Sequence, residues 1–171
     1  MIDIRQVNEK SSAELSDLCA TSFADAYQGV NSEADIKMYC EKNYSIETIE
    51  ANLSNQGVVY MVAYRESKAV GFFMIKNQDC PIALDGNAVE LKQIYVLANE
   101  FGTGLGKQLL SEVIRCARQL NKNWVWLSVS DLNTRAQSFY GKHGFEPFGA
   151  APVLEVGNGR LPATVMRLKV I

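Results

Sequence analysis

Apolar and polar positions change period several times along the chain, and each change marks an element. Ile2, Ile4 and Val7 are spaced as on a short first strand. Ser11 and Glu14 have the spacing of a capping box, with Leu15, Leu18, Cys19, Ser22 and Phe23 following at helical intervals, so a first helix is predicted there. Gly29 and Asn31 break it. The segment 33–43, with Ile36, Met38 and Tyr39, predicts a second, more polar helix, and Ser45 caps a short third one carrying Ile46, Ile49 and Leu53. Three helices ahead of any central strand are expected to form a movable wall over a site.

From Val58 the period is that of strands. Residues 59–64 and 69–75, about a polar turn at 66–68, predict an antiparallel hairpin. A loop over 77–87, containing Pro81 and Gly86, leads to a strand over 89–96. The strongest helical pattern follows: Leu105, Leu109, Leu110, Val113, Ile114, Ala117 and Leu120 share one half of the wheel, a face wide enough to pack on a sheet. Residues 124–129 are almost wholly apolar, as in a strand covered on both faces. Strand, helix and strand here predict a parallel crossover. A further helix over 133–143 is stopped by Gly144, and the tail from Phe145 reads as strands about a Gly157-Asn158-Gly159 turn. The expected fold class is α/β, as one domain over 1–171.

The junction of strand and helix carries the first chemistry. In the stretch 94–107, a β-branched and aromatic run ends in a loop with glycine at 102, 104 and 106 and then starts the long helix. Alternate glycines let the main chain approach a ligand and aim several N–H groups one way, and a helix start adds partial positive charge. The guest such a nest suits is a phosphate. A Walker loop is excluded, because five residues after Gly102 stands Lys107, followed by Gln108. A dinucleotide fingerprint is excluded too, because Gly102 and Gly104 lead to Lys107, and Gly104 and Gly106 lead to Leu109.

Charge and cysteine content narrow the classes. A formal charge of -2 and a pI near 5.5 give no basic face for nucleic acid. Cys19, Cys40, Cys80 and Cys116 are scattered, His143 is the only histidine, and no metal-ligand spacing is readable. There is no basic-then-apolar leader and no apolar run of membrane-spanning length, so no membrane partner is expected and the cytoplasm is the expected compartment.

The loop Phe101-Gly-Thr-Gly104-Leu-Gly106 resembles motif A of the GCN5-related N-acetyltransferase (GNAT) family, written Gln or Arg, x, x, Gly, x, Gly or Ala, with Phe101 at the first position. The run from Asn133 to Phe145, with Phe139-Tyr140 before Gly144-Phe145, resembles motif B of the same family. Strand and helix order fits that family over essentially the whole chain. The resemblance implies a mixed, mostly antiparallel central sheet with flanking helices, and acetyl-CoA as cosubstrate with no metal. It implies cofactor contacts from Ile94, Tyr95 and Val96, as a splayed strand whose backbone N–H groups serve the pantetheine and carbonyl, and from Gly102, Thr103, Gly104, Leu105, Gly106 and Lys107, with Asn133 on the pantetheine arm. Tyr140 would be the proton donor to the departing thiolate. Asn133 and Tyr140 are two helical turns apart and share a face, so an amide and a phenol can meet one ligand.

Three further segments, at 23–27, 90–96 and 126–129, look like the bacterial polyamine (spermidine and spermine) N-acetyltransferase branch. That branch tends to carry acidic residues in its C-terminal hairpin, where this chain has Asn158-Gly-Arg-Leu-Pro-Ala163. Acetyl transfer needs a deprotonated amine, a polarised carbonyl and a proton for the thiolate. Glu90, on the strand that enters the cofactor segment, is the candidate general base, directly or through water. Its rival reading is a solvated strand residue, and that of Tyr140 is a core tyrosine. Tyr27 and Asp25, with Glu33 and Asp35, either line an amine pocket or form a solvated face. Cys116, Trp124 and Trp126 read as core, and His143 as a helix terminus. The expected partner is a small-molecule amine, with a homodimer as the oligomer to test. The alternatives are acetylation of a protein N-terminus, a lysine or an antibiotic amine, and a coenzyme A sensor without catalysis.

Overall fold

A computed structural model describes all 171 residues. Its elements run β1 (Ile2–Gln6), α1 (Ser12–Tyr27), α2 (Glu33–Asn43), α3 (Ile46–Leu53), β2 (Val58–Arg65), β3 (Lys68–Lys76), β4 (Ala88–Val96), α4 (Leu105–Gln119), β5 (Trp124–Ser130), α5 (Thr134–Lys142), β6 (Glu146–Val156) and β7 (Gly159–Lys169). Short 3-10 turns at Glu9–Ser11 and Ala98–Glu100 precede α1 and the glycine loop. The seven strands form one sheet in the order β1-β2-β3-β4-β5-β7-β6, in which only β4 and β5 are parallel. No helix is long and apolar enough to cross a membrane.

Alternation along the central strands supplies two cores. Met61, Ala63, Phe73 and Ile75 pack with Leu105, Leu109, Leu110 and Val113 of α4 on one face. Tyr60, Val62, Tyr64, Phe72 and Met74 pack with Leu15, Leu18 and Phe23 of α1 and Ile49 of α3 on the other. The period-two pattern therefore buries both sides of the hairpin, and helices cover both faces. The capping box predicted for α1 does not form. Ser11 makes no side-chain cap, and Glu14 accepts the hydroxyl of Tyr64 at 2.9 Å instead, because a 3-10 turn capped by Asn8 already starts the helix.

What positions the site is a split in this sheet. The parallel pairing lasts for three residues, Ala88 with Trp124, Val89 with Val125 and Glu90 with Trp126. Beyond it β4 pairs only with β3, and β5 only with β7. A bulge coincides with the separation: Met74 opposes Gln93 and Ile75 opposes Leu91, leaving Lys92 as the extra residue. Bulges bend the strand that carries them, and here the bend leaves a V-shaped opening between β4 and β5. Neither the shortness of the parallel pair nor the bulge is visible in the hydrophobic pattern.

Candidate active site

Two cavities flank the open edge of β4. The first, about 520 Å³, lies between the splayed strands under α1, α2 and the end of the β6–β7 hairpin. The second, about 470 Å³, lies between β4, the glycine loop and α5. Ile94, Tyr95, Asn133, Ala136 and Tyr140 belong to both walls, so the two spaces meet at these side chains.

The second cavity is built from backbone. The N–H of Phe101 donates to Ala98 O at 3.1 Å, that of Thr103 to Glu100 O at 3.2 Å and that of Leu105 to Thr103 Oγ1 at 3.4 Å. The intervening N–H groups of Gly102, Gly104 and Gly106, and that of Lys107, have no acceptor in the chain, and all four residues line the cavity. Gly102 and Gly104 hold φ of +78° and +85°, a left-handed conformation that glycine adopts without cost. Gly104 is also the N-cap of α4 and offers no side chain to its first turn. An alternating row of free donors at a helix start is a ready anion site. The fold does not require the glycine at 106, since a methyl there would meet Phe139 only at 3.5 Å and 3.6 Å, an ordinary contact. The loop therefore fits the pyrophosphate of a coenzyme A, and its glycines are explained by a ligand rather than by packing.

Glu100 anchors this loop, a role that motif spacing did not reveal. It is 4% exposed and receives both Arg65 Nε and Arg65 Nη2 at 2.8 Å, and Thr103 Oγ1 at 3.1 Å. The Arg65 hydrogen bonds hold its carboxyl below the ordinary value against the opposing effect of desolvation. Thr103 and Leu105 of the expected cofactor set are placed differently from their glycine neighbours. The Thr103 side chain turns to Glu100, and Leu105 is buried in the core under α4; neither lines the cavity. Their positions alternate with the free donors, so their backbone serves the loop and their side chains face inward. Phe101, Arg135, Phe139 and His143 complete the wall. His143 is the C-cap of α5, as expected, and its ring lies 4.6 Å from that of Phe139.

Asn133 caps α5 through Oδ1, which accepts the Ala136 N–H at 3.0 Å. That bond fixes the amide orientation and leaves its NH₂ for the cavities and the nearby Tyr27 hydroxyl. Tyr140 follows two turns later, on both cavity walls. Burial raises its phenol far above the ordinary value, and Tyr27 adds to the shift. Burial likewise raises Tyr27 and Tyr95, and pushes Tyr39 up to about 12, so the walls present neutral phenols at physiological pH.

The first cavity has a different make-up. Phe23 is sandwiched between Tyr27 at 4.4 Å and Tyr39 at 4.2 Å, which joins α1 to α2 along one wall. Glu90, 6% exposed, stands where β4 leaves β5, with Lys92 Nζ at 3.5 Å from its carboxylate. Lys42, Gln93 and Glu155 also line the space, and the Oε1 of Gln93 is buried without a partner. Tyr27 is brought to this cavity. Asp25 is not: its carboxylate accepts the Ala98 N–H at 2.9 Å, at the turn entering the glycine loop. Asp35 accepts the Asn158 N–H at 2.9 Å, tying α2 to the β6–β7 turn, and Glu33 is exposed.

Comparison with known proteins agrees with this geometry. Residues 21–145 match the model of the Acetyltransferase (GNAT) family. The chain belongs to that family. It is 26% identical over 160 residues to an uncharacterized N-acetyltransferase of Lactobacillus delbrueckii subsp. lactis, covering 93% of this chain and 92% of the relative. It is 26% identical over 149 residues to a spermidine N(1)-acetyltransferase of Thermoplasma acidophilum, covering 85% and 88%. Among solved structures, the PaiA N-acetyltransferase of Thermoplasma acidophilum in complex with coenzyme A superposes with a TM-score of 0.80 at 24% identity, over 99% of both chains. This acetyltransferase is accordingly an acetyl-CoA-dependent acyltransferase, and the seven-stranded sheet with one parallel pair is its family's fold.

Proposed function

We propose that the chain is a single N-acetyltransferase domain that acetylates a primary amine of a small molecule by direct attack in a ternary complex. The observation that carries this is the pair of cavities meeting at Ile94, Tyr95, Asn133, Ala136 and Tyr140, one lined with free backbone donors and the other with ionisable side chains. Acetyl-CoA supplies the thioester and its thiolate leaving group. The residues of the chain do the rest. The glycine loop and α4 start bind the pyrophosphate, while Asn133 holds the arm and the unpaired backbone of β4 polarises the carbonyl. Glu90 takes a proton from the incoming ammonium, directly or through water, and Tyr140 keeps a proton on Oη for the thiolate. Holding both reactants across one wall supplies much of the rate. The reading assumes the cytoplasm, in keeping with four free cysteines.

A polyamine acceptor is the finer reading, favoured by the spermidine N(1)-acetyltransferase relative and by the carboxylates of Glu90 and Glu155 in the first cavity. The test is a screen of amine classes for coenzyme A release, with spermidine, amino acids, aminoglycosides and peptide N-termini as arms. Turnover of a small amine is expected. Turnover of peptides alone removes the small-molecule acceptor, and coenzyme A binding without turnover on any arm removes catalysis.

A further inference from the structure

The family's loop motif starts with Gln or Arg, and this chain has Phe101 there. The ring is 37% exposed, an unusual setting for a large apolar side chain at the mouth of a polar loop. The guanidinium carbon of Arg135 lies 4.3 Å from its centroid. Both residues line the second cavity beside Gly102, Gly104, Gly106 and Lys107. Arg135 is the second residue of α5, after the Asn133 cap, where the positive end of the helix dipole disfavours a cation. It forms no ion pair with any carboxylate of the chain. Glu100, the acid of the same cavity wall, is already satisfied by Arg65 and Thr103. Arg135 is exposed, sits against its helix dipole, lies over an exposed ring and has no counter-ion in the chain, so it can take an anion from outside.

We infer that Arg135, resting over the Phe101 ring, is a phosphate clamp of the cofactor cleft. It supplies from α5 the polar contact that the loop lacks at position 101. A guanidinium offers paired donors that match two phosphate oxygens, and a cation–π contact holds the group near the loop without using those donors. Phe101 is then the platform and Arg135 the ligand-binding group, so the departure at the head of the motif is compensated rather than lost. The inference rests on coenzyme A occupying this cleft, and the group recognised is a phosphate, either of the pyrophosphate or at the 3′ position.

Titration calorimetry of the full chain tests this with three ligands: coenzyme A, dephospho-coenzyme A and phosphate-free pantetheine. Arg135→Ala is expected to weaken coenzyme A by about 10–100-fold and to flatten the salt dependence of binding, while leaving pantetheine unchanged. Arg135→Lys is expected to recover only part of the loss, and Phe101→Ala to weaken binding less than Arg135→Ala. Adding Phe101→Gln to Arg135→Ala is expected to restore affinity, because the polar group returns to the loop. If the Arg135→Ala penalty persists with dephospho-coenzyme A, the clamp is on the pyrophosphate; if it vanishes, the clamp is on the 3′-phosphate. Either result supports the inference. A folded Arg135→Ala variant, verified by circular dichroism, that binds coenzyme A with unchanged affinity and salt slope overturns it. A native chain that binds none of the three ligands overturns the cofactor assignment and the clamp with it.

Discussion

The two cavities that meet at Tyr140 are made in opposite ways. The cofactor side is one continuous run of chain, from the free edge of β4 through the glycine loop into α4, closed by α5. Its donors are main-chain N–H groups whose direction follows from backbone conformation. The acceptor side draws its wall from α1, α2, β4, β5 and the β6–β7 hairpin, and its chemistry lies in side chains such as Lys42, Glu90, Gln93 and Glu155. Donors fixed by backbone conformation survive substitution of most side chains, whereas the side chains of the acceptor wall are easily exchanged.

The contrast breaks most visibly at the shared wall. Tyr140→Phe is expected to lower kcat by about 10²–10³-fold and leave coenzyme A affinity unchanged, because only the proton is removed. Steady-state kinetics with calorimetry checks this, and an equal kcat would end the acid role. The pH dependence has a definite sign. Burial raises the phenol above its ordinary value of 10, so Tyr140 stays protonated through the working range, and any alkaline fall in rate below pH 10 belongs to another group. Glu90→Gln comes next, with kcat/KM down by about 10–100-fold and an altered pH–rate profile. A profile of unchanged shape would dismiss Glu90 as base.

Gly106→Ala sharpens the backbone side through two readouts of opposite sign. Alanine is the better helix former by about 1 kcal/mol, and its methyl would touch Phe139 at no less than 3.5 Å, so thermal stability should hold or rise. Coenzyme A affinity should fall about tenfold, because the methyl enters the cleft that the loop lines. Loss of stability together with affinity would return this glycine to packing. For Glu100 the sign also follows from its shift. A carboxyl held below its ordinary value stabilises the fold above the usual carboxylate range and loses that contribution as pH falls through the lowered value. Acidification should therefore depress the unfolding temperature of the native chain more than that of Glu100→Gln, by a few degrees, in pH-dependent melting curves.

Legibility in the sequence divides along the same line. The crossover, the hairpin and the helix starts at Ser45 and Asn133 were readable, because they depend on local period and capping chemistry. That Gly102, Gly104, Gly106, Asn133 and Tyr140 share one cavity wall follows from spacing within one loop and one helix. The split of β4 from β5 is implied only by the family resemblance, as a splayed strand near residues 94–96, and by no local pattern, since strand pairing is non-local and the bulge at Lys92 changes no hydrophobic period. Spacing does not show that the side chains of Thr103 and Leu105 face inward, because a nest alternates inward and outward groups. Asp25 reads either as part of an amine pocket or as part of a solvated face; its carboxylate accepts a backbone N–H, and an acid on a helix surface has the same sequence signature in each of these roles. Arg135 did have a signal: a cation in the first turn of a helix opposes the dipole.

The smallest expected effect lies wholly on the acceptor side. Glu90 shares its charge with Lys92 at 3.5 Å, whereas Glu155, on β6, lines the same cavity and pairs with no basic residue of the chain. A polycationic acceptor would use that free carboxylate through a solvent-screened ion pair, worth about 0.5–1 kcal/mol. Glu155→Gln should then raise the KM for spermidine by about 2–5-fold without changing kcat or coenzyme A affinity. A monoamine without a second charge should show no such rise, so the ratio of the two KM changes measures the contribution of charge to acceptor choice. Equal KM values for native and variant chains with spermidine would leave the aromatic wall of Phe23, Tyr27 and Tyr39 as the selecting surface, and would count against a polyamine as the acceptor.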